Sequence, residues 1–310
     1  MFRERVFSYF FLFFLGVFIG YGIFSFPPKL QRKLQRMRYN RLEKFSLNFE
    51  KRLRPPSDVK IDILIPTIEK DLPILTHAIA FAKKNILHPI GQIYIVGQKN
   101  EKIKKFCEEN SCLFVNEDKI FPFTAKDIHY VTRGMINRNG WLFQQLIKLN
   151  ADKICSSDYI LAIDSNTIFL RPQIFLFHTR VIFHCSKILF SSYQKMFHRL
   201  LKKKPSCKFS FLSHHMLFQK DKLKKMKKKI EKIHSKPWYD AIISLTDKKE
   251  FAGFSEYETY GNFILSHYPQ ECVLLHSLQR SYSHNRLQDF LSGQIKLPQK
   301  TKTIVFQNYK

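Results

Sequence analysis

The pattern of apolar and polar residues predicts short buried strands that alternate with amphipathic helices. Strands are expected at 62–67, 92–97 and 112–115, where β-branched and other apolar residues run together. Helices are expected at 71–85, whose apolar residues share one face, and at about 100–110, a short charged segment. This alternation is typical of an α/β protein with a mainly parallel sheet and helices on its faces.

Ligands of such sheets bind at the carboxyl ends of the strands. Thr67, Gly97 and Asn116 stand at those ends, so we expect Thr67 and Gly97 to border any bound nucleotide. Neither a GxGxxG nor a GxxxxGK[ST] motif occurs in the chain. The phosphate cradles of dinucleotide-binding and P-loop enzymes are therefore absent.

An acidic residue ends the next predicted strand. Residues 138–150 predict an amphipathic helix, and the apolar run 159–163 leads directly into Asp164, followed by Ser165 and Asn166. The Asp164 and Asn166 oxygens suit Mg²⁺ or Mn²⁺, which can neutralise a departing diphosphate. The alternative is that Asp164 only caps the following turn.

The first residues predict a membrane anchor. The 21 residues Val6–Phe26 carry no charged side chain, a length that suits a helix crossing a bilayer, and basic residues follow. A cleaved signal peptide or a buried core helix are the alternatives. We expect three segments, namely an anchor at 1–28, a basic juxtamembrane linker at 29–58 and a globular domain at 59–310. The basic flank predicts that the globular domain stays in the cytoplasm.

The charge balance indicates a polyanionic neighbour. Lys and Arg number 52 against 25 Asp and Glu, a net charge of +27. Most of the excess lies in 29–54, 199–208 and 220–236, the last being an amphipathic helix with a basic outer face. An anionic membrane surface or a lipid-linked, phosphate-bearing acceptor fits these clusters, and a merely solvated face is the alternative. No nucleic-acid-binding motif accompanies the charge, so nucleic acid is not expected as a partner.

Several sequence blocks, in order, resemble a bacterial family of uncharacterised proteins, DUF6492, over about residues 60–268. The blocks are Ile65–Thr67, Trp141–Leu149, Ile163–Pro172, Ser213–Phe218 and Phe254–Asn262. That family is similar to glycosyltransferases of the GT-A fold, which implies a GT-A-like (Rossmann-like) mixed sheet with flanking helices. It also implies a nucleotide-sugar donor, with a uridine diphosphate sugar favoured, and a divalent metal (Mn²⁺ or Mg²⁺) on an Asp-x-Asp element.

Carried over to this chain, Asp164 and Asn166 occupy the Asp-x-Asp positions. Asn replaces the second acid, which removes one negative charge from the predicted metal site. The resemblance also implies a His that completes the metal shell, and His214 and His215 are the candidates. They are adjacent on a predicted strand at 209–218, so only one of them can face the site; the alternative is a hydrogen-bonded core His.

Acceptor and donor residues follow from the remaining blocks. A helix at 255–267 is expected to begin at Ser255, with Glu258 at the capping-box position. Glu256 is the better candidate to bind the acceptor or to deprotonate its hydroxyl. Both glutamates are taken as candidate catalytic residues. Gln145 and Lys148 are expected to reach the donor. Trp238 can stack on a sugar, although a core role is as well supported.

Together these features predict a single-pass hexosyltransferase-like enzyme of the bacterial inner membrane. It would transfer a sugar from a nucleoside diphosphate sugar to a cell-envelope glycan or glycolipid. The alternative is a catalytically decayed glycosyltransferase-like protein that binds glycan or lipid at the membrane.

Overall fold

The computed structural model describes residues 28–50 and 57–307. The predicted span Val6–Phe26 lies outside these residues. Within the described ranges, no helix combines the length and the apolar character needed to cross a bilayer. Two compact units divide the chain, Met1–Asn40 and Arg41–Lys310, and the sheets all lie in the second. The domain boundaries expected from the sequence remain predictions.

Helices and strands alternate through most of the described chain. The helices are α1 Pro28–Glu50, α2 Leu72–Asn85, α3 Glu101–Glu109, α4 Asn139–Leu149, α5 Ala151–Ile154, α6 Ser191–Leu201, α7 Lys220–His234, α8 Trp238–Leu245, α9 Glu256–His267 and α10 Leu287–Leu291. The strands are β1 Ile61–Pro66, β2 Ile90–Gly97, β3 Leu113–Asn116, β4 Tyr159–Ile163, β5 Thr167–Phe169, β6 Leu176–Phe177, β7 Arg180–Cys185, β8 His215–Gln219, β9 Cys272–His276, β10 Gln279–Ser283 and β11 Thr303–Gln307.

The main sheet has the strand order β3-β2-β1-β4-β8. Strands β1 to β4 are parallel, and β8 pairs antiparallel with β4 so that His215 lies opposite Ile163. All six residues of β1 are buried, as its apolar run predicts. The expectation of a mixed α/β fold with a largely parallel sheet and flanking helices is therefore confirmed.

The order of the strands creates a crevice in this sheet. The chain runs from β1 outward to β2 and β3, and then returns to place β4 on the other side of β1. The carboxyl ends of β1 and β4 therefore lie side by side where the order of the strands reverses, which is where open α/β sheets bind ligands. Thr67 follows β1 and Asp164 follows β4, so both residues stand at this crevice.

Two smaller sheets complete the fold, with orders β10-β11-β5 and β6-β7-β9. Strand β11 lies antiparallel to β5, which begins directly after Asn166. The backbone N–H of Phe306 donates to the Asn166 carbonyl oxygen over 3.1 Å. The C-terminal strand therefore packs against the turn that carries Asp164, a contact that the sequence pattern did not predict.

Two predicted elements differ in their ends or caps from the expectation. The strand expected at 209–218 is shorter: β8 begins at His215, because His214 has a left-handed backbone with φ 60°. At the start of α9, the Ser255 hydroxyl accepts the Glu258 N–H as expected, over 3.2 Å. The Glu258 carboxylate does not complete the capping box, because it binds another segment.

The basic helix expected at 220–236 is α7. Leu223, Met226 and Ile230 are buried on its inner face, and Ile233 is half-buried. Lys227 is also buried, because it pairs with Asp152. The outer face keeps the exposed lysines that the sequence pattern assigned to it.

A buried carboxylate ties together the opposite, amino-terminal edge of the main sheet. Asp62 accepts hydrogen bonds from the backbone N–H groups of Gln92 (2.9 Å), Ser156 (3.0 Å) and Ser157 (2.8 Å), and from the Ser156 hydroxyl (3.0 Å). Burial alone would raise the pKa of Asp62, but these hydrogen bonds outweigh it and lower the pKa. Asp62 therefore holds the starts of β1, β2 and β4 in register.

We expect Asp62→Ala to lower the free energy of unfolding by about 3 kcal/mol, because it leaves several buried donors without their charged acceptor. The matched control is Asp158→Ala, an exposed carboxylate near the same loop, with an expected change within about 0.5 kcal/mol. Urea unfolding of both variants measures the difference. Equal losses in the two variants would show that Asp62 has no special structural role.

Candidate functional site

A cluster of charged side chains occupies the carboxyl end of β4. The Asp164 Oδ1 atom accepts hydrogen bonds from the Lys148 ammonium and, over 3.1 Å, from the Tyr257 hydroxyl. The Asp164 Oδ2 atom lies 2.8 Å from His214 Nδ1. The Asp164 side chain is 26% exposed, so the cluster is open to a ligand on one side.

Lys148 connects Asp164 to a second carboxylate. Its ammonium is buried and also donates to Glu256 Oε1 over 2.6 Å. Lys148 and Gln145 are three residues apart on α4 and so share one face, and Gln145 Oε1 accepts the Glu256 N–H over 3.3 Å. Helix α4 and the first turn of α9 are thereby joined at the site.

The charges in this cluster shift one another's protonation. Burial alone would raise the pKa of Asp164, but Lys148 and His214 hold it well below its usual range. Burial alone would lower the pKa of Lys148, but Asp164 and Glu256 raise it above its ordinary value. Burial raises the pKa of Glu256, and Lys148 only partly offsets this. Asp164 and Lys148 are therefore both charged at neutral pH.

His214 is positioned by its backbone and by both ring nitrogens. Its carbonyl oxygen accepts the Asp164 N–H over 2.9 Å, and its left-handed backbone directs the side chain toward the end of β4. The Nε2 atom lies 3.0 Å from the amide nitrogen of Gln307 on β11. With that amide nitrogen as the donor, Nε2 accepts the hydrogen bond and Nδ1 carries a proton that points toward Asp164. A carboxylate that orients a histidine in this way is a common arrangement for a general base.

The structure places His215 elsewhere. It is buried beside the rings of Phe169 and Phe175, and its Nε2 lies 3.2 Å from His184 Nδ1. Burial lowers the pKa of His215 to about 3, so it is neutral. Of the two adjacent histidines, His214 joins Asp164 and His215 belongs to the core.

The two glutamates of α9 also separate. Glu256 binds Lys148, whereas Glu258 accepts hydrogen bonds from the Ser210 hydroxyl and, over 2.9 Å, from the Phe211 N–H. Burial raises the pKa of Glu258 to about 7, against the lowering effect of these donors. Glu258 therefore fastens the segment that leads to His214 onto α9, and it lies outside the Asp164 cluster.

Of the other residues predicted to bind the donor, Thr67 and Gly97 lie at the ends of their strands and Trp238 lies in the core. Thr67 is buried at the end of β1, and its N–H donates to the Val96 carbonyl over 2.8 Å. Gly97 lies beside it, where an added Cβ would stand 2.9 Å from the Thr67 carbonyl oxygen, so the close approach requires glycine. Trp238 is buried against Phe121 and Tyr239, with ring centroids 5.8 and 5.5 Å away, and thus has a core role.

The oxygen atoms near Asp164 suit a hard cation but do not form a complete site. Asn166 Nδ2 donates to the Phe306 carbonyl over 2.7 Å, and its buried Oδ1 has no hydrogen-bond partner among the residues that the structure describes. This unpaired oxygen and the partly exposed Asp164 carboxylate fit Mg²⁺ or Mn²⁺ in kind. Within residues 28–50 and 57–307, no three His, Cys, Asp or Glu side chains are grouped closely enough to hold a metal by themselves. A metal here would need further ligands, which a bound diphosphate can supply.

Three polar neighbours of the cluster were not predicted from the sequence, namely Tyr257, Gln307 and Asp71. Asp71 accepts a hydrogen bond from the Ser165 hydroxyl over 2.8 Å, and burial raises its pKa. Tyr257 could have been predicted, because it lies between the two candidate glutamates of its sequence block. Asp71 and Gln307 could not, because they reach the site through contacts with residues far away in the chain.

We expect Lys148→Met to lower the free energy of unfolding by about 3 kcal/mol, because it leaves the carboxylates of Asp164 and Glu256 partly buried without their cation. The control Lys105→Met removes an exposed lysine of α3 and is expected to cost less than about 0.5 kcal/mol. Urea unfolding at pH 7 compares the two. Adding Glu256→Gln to Lys148→Met should recover part of the loss, and no recovery would contradict the shared ion pair.

Glu258 should make stability depend on pH. Its carboxyl titrates at about 7 in the folded protein, against an ordinary value of 4.5. The folded state therefore binds more protons between these values, and its free energy of unfolding should fall as the pH rises from 4.5 to 7. Glu258→Gln removes this contribution, so the stability of wild type relative to the variant should decline over that interval. Urea unfolding across the range tests this, with the exposed Glu108→Gln as control. A constant difference between wild type and Glu258→Gln would refute it.

Comparisons with known proteins bear on the family rather than the chemistry. The crystal structure of mouse xyloside xylosyltransferase 1, apo form, is similar to the chain at 13% identity with a TM-score of 0.41, covering 80% of this chain and 97% of that one. No curated protein matches. The model of a family described as "Family of unknown function (DUF6492)" matches residues 66–289, well over half of the chain. The resemblance read from the sequence blocks is thus confirmed, and the chain belongs to the DUF6492 family.

Proposed function

We propose that the chain is a glycosyltransferase that moves a sugar from a nucleoside diphosphate sugar to a hydroxyl group of an acceptor. The observation that carries the proposal is the pairing of Asp164 with both Lys148 and His214 at the crevice between β1 and β4. This is the position where an open α/β sheet binds a nucleotide. The sequence blocks resemble DUF6492, and the similarity of that family to GT-A glycosyltransferases implies the same chemistry.

The charge of the cluster bears on how a donor is bound. The Asp164 carboxylate already balances the one ammonium of Lys148, so a diphosphate needs additional positive charge near Asp164. The metal predicted from the sequence meets this need, and Asp164 and Asn166 are the residues that would hold it. When bound, such a cation supplies charge neutralisation for the leaving diphosphate. Lys148 contributes its own positive charge and holds the Asp164 carboxylate in place.

His214 is the best-placed group to accept the proton of the acceptor hydroxyl. Its side chain is 21% exposed, Nδ1 is held by Asp164, and Nε2 has a lone pair that an incoming hydroxyl can use in place of Gln307. Asp164 would stabilise the imidazolium that forms. Glu256, the base expected from the sequence, is 3% exposed and already bound to Lys148, so positioning Lys148 is the role that suits it.

We further propose that the enzyme works at the bacterial inner membrane on a cell-envelope glycan or glycolipid, with a uridine diphosphate sugar as donor. The support is in the sequence. The uncharged run Val6–Phe26 is long enough to span a bilayer, and the basic residues after it favour a cytoplasmic globular part. The basic outer face of α7 is suited to an anionic surface.

The test is binding and turnover of a panel of nucleotide sugars by the full chain in detergent, with and without Mn²⁺. We expect one donor to bind and to be transferred or slowly hydrolysed, Asp164→Ala to abolish metal-dependent binding, and His214→Gln to lower kcat about 100-fold with little change in donor KM. The matched control is the exposed Glu101→Gln on α3, which should behave as wild type.

Failure of every donor to bind would refute the enzymatic function. Glycan or lipid binding without turnover, together with metal binding gained by Asn166→Asp, would instead establish the decayed, non-catalytic alternative.

A further inference from the structure

Two neighbouring loops expose large apolar side chains to solvent. Met135 is 83% exposed and Phe251 is 55% exposed, and Val131 and Ile136 are also exposed. Val131, Met135 and Ile136 belong to the loop before α4, and Phe251 belongs to the loop before α9. We call these four residues the apolar platform. A group of exposed apolar residues on neighbouring loops marks an interaction site more often than isolated exposed residues do.

The first loop is a tight hairpin in which Met135 directly follows the turn at Arg133 and Gly134. Val131 and Asn137 form an antiparallel bridge, and the Thr132 N–H donates to the Ile136 carbonyl over 3.0 Å. Met135 has a left-handed backbone with φ 58°, which costs a non-glycine residue roughly 1 kcal/mol. Met135 therefore carries two costs, the exposure of an apolar side chain to water and a left-handed backbone. Burial of the side chain offsets neither of them.

Several contacts join the two loops into one surface. The Tyr130 hydroxyl donates to the Glu250 carbonyl over 2.6 Å and accepts the Gly253 N–H over 2.9 Å. The Arg138 guanidinium lies 4.0 Å from the ring centroid of Trp141 and 4.2 Å from that of Phe251. A Cβ at Gly253 would stand 2.8 Å from the Tyr130 hydroxyl oxygen, so glycine permits this close packing. The platform is therefore built into the fold.

The composition of the two loops indicates what the platform contacts. Arg133, Lys248 and Lys249 are exposed beside the platform, and the acids Asp247 and Glu250 are exposed on the second loop, which leaves one basic residue in excess. Exposed apolar side chains with a small basic excess suit insertion into the interface of an anionic bilayer. The uncharged run Val6–Phe26 independently predicts a membrane location for this chain.

The platform is also continuous with the candidate site. The hairpin leads directly into α4, which carries Lys148, and the second loop leads into Ser255 and Glu256 at the start of α9. Whatever the platform contacts is therefore linked by short segments to the Asp164 cluster.

We propose that the apolar platform inserts into the interface of an anionic lipid bilayer and presents the site to an acceptor whose reactive hydroxyl is carried on a membrane lipid. The nature of the acceptor rests on the proposed function, whereas insertion of the platform does not.

The test reconstitutes the full chain into vesicles of phosphatidylcholine and phosphatidylglycerol that contain brominated acyl chains. A fluorophore is attached to Met135→Cys, and the control is Leu113→Cys, an exposed apolar residue (48%) on the β3 edge of the main sheet. Unsubstituted protein gives the background from native cysteines, five of which are buried.

We expect the brominated lipid to reduce the emission of the Met135→Cys label about twofold and to leave the Leu113→Cys label unchanged. Equal quenching at both positions, or none at Met135→Cys, would overturn insertion. A dimer in detergent that Met135→Asp abolishes, without lipid quenching, would assign the platform to a second copy of the chain and overturn the proposal as well.

A second measurement separates this proposal from the proposed function. Met135→Asp with Ile136→Asp should reduce transfer to a lipid-linked acceptor at least about tenfold while leaving donor hydrolysis unchanged, because these residues lie outside the charged cluster. If the donor is turned over and the double substitution has no effect on transfer to the lipid-linked acceptor, only the role of the platform in acceptor delivery is refuted. If no donor binds but the brominated lipid still quenches the Met135→Cys label, only the proposed function is refuted.

Discussion

The buried ammonium of Lys148 is the constraint around which the site is organised. A lysine taken out of water is stable only when carboxylates surround it, and here Asp164 and Glu256 come from two other parts of the chain. The pairing therefore requires α4, the turn after β4 and the start of α9 to meet at one point. The Gln145 bond to the Glu256 backbone and the Tyr257 bond to Asp164 lock the same junction. The result is an Asp164 carboxylate that is ionised, held in one orientation and partly exposed.

The turn after β4 is held from its other side by the two strands that border it. His214 directly precedes strand β8, and its left-handed backbone brings its side chain to Asp164. Strand β11 binds Asn166 through both the backbone and the side chain, and places Gln307 on the far nitrogen of His214. Strand β11 thus contacts the candidate site, so the position of the Asp164 turn depends on the packing of β11.

The sequence pattern predicted the elements that a local run or period of apolar residues marks. Strands β1, β2 and β4 and helices α2, α4 and α7 follow from apolar periodicity, and Asp164 was identified because a charged residue ends an apolar run at the binding edge of a parallel sheet. The order of the strands, which places Thr67 and Asp164 at one crevice, came only with the structure.

Residues whose roles depend on distant contacts could not be assigned in the same way. The alternation of side chains along a strand predicted that only one of His214 and His215 faces the site. Which of the two does so depends on the left-handed backbone of His214 and on the contact of His215 with His184. The capping box expected at Glu258 forms only in part. The Glu258 N–H donates to the Ser255 hydroxyl, but the Glu258 carboxylate accepts hydrogen bonds from Ser210 and Phe211 instead. Trp238 packs in the core, and pattern alone could not separate that role from sugar stacking.

The measurement that tests the central claim most directly is a crystal structure of the chain with uridine diphosphate and Mn²⁺. The account predicts the diphosphate at the crevice between β1 and β4, with Asp164 and Asn166 next to the metal and Lys148 close to the phosphate oxygens. A nucleotide bound at another surface, or an Asp164 cluster unchanged at saturating nucleotide, would contradict it.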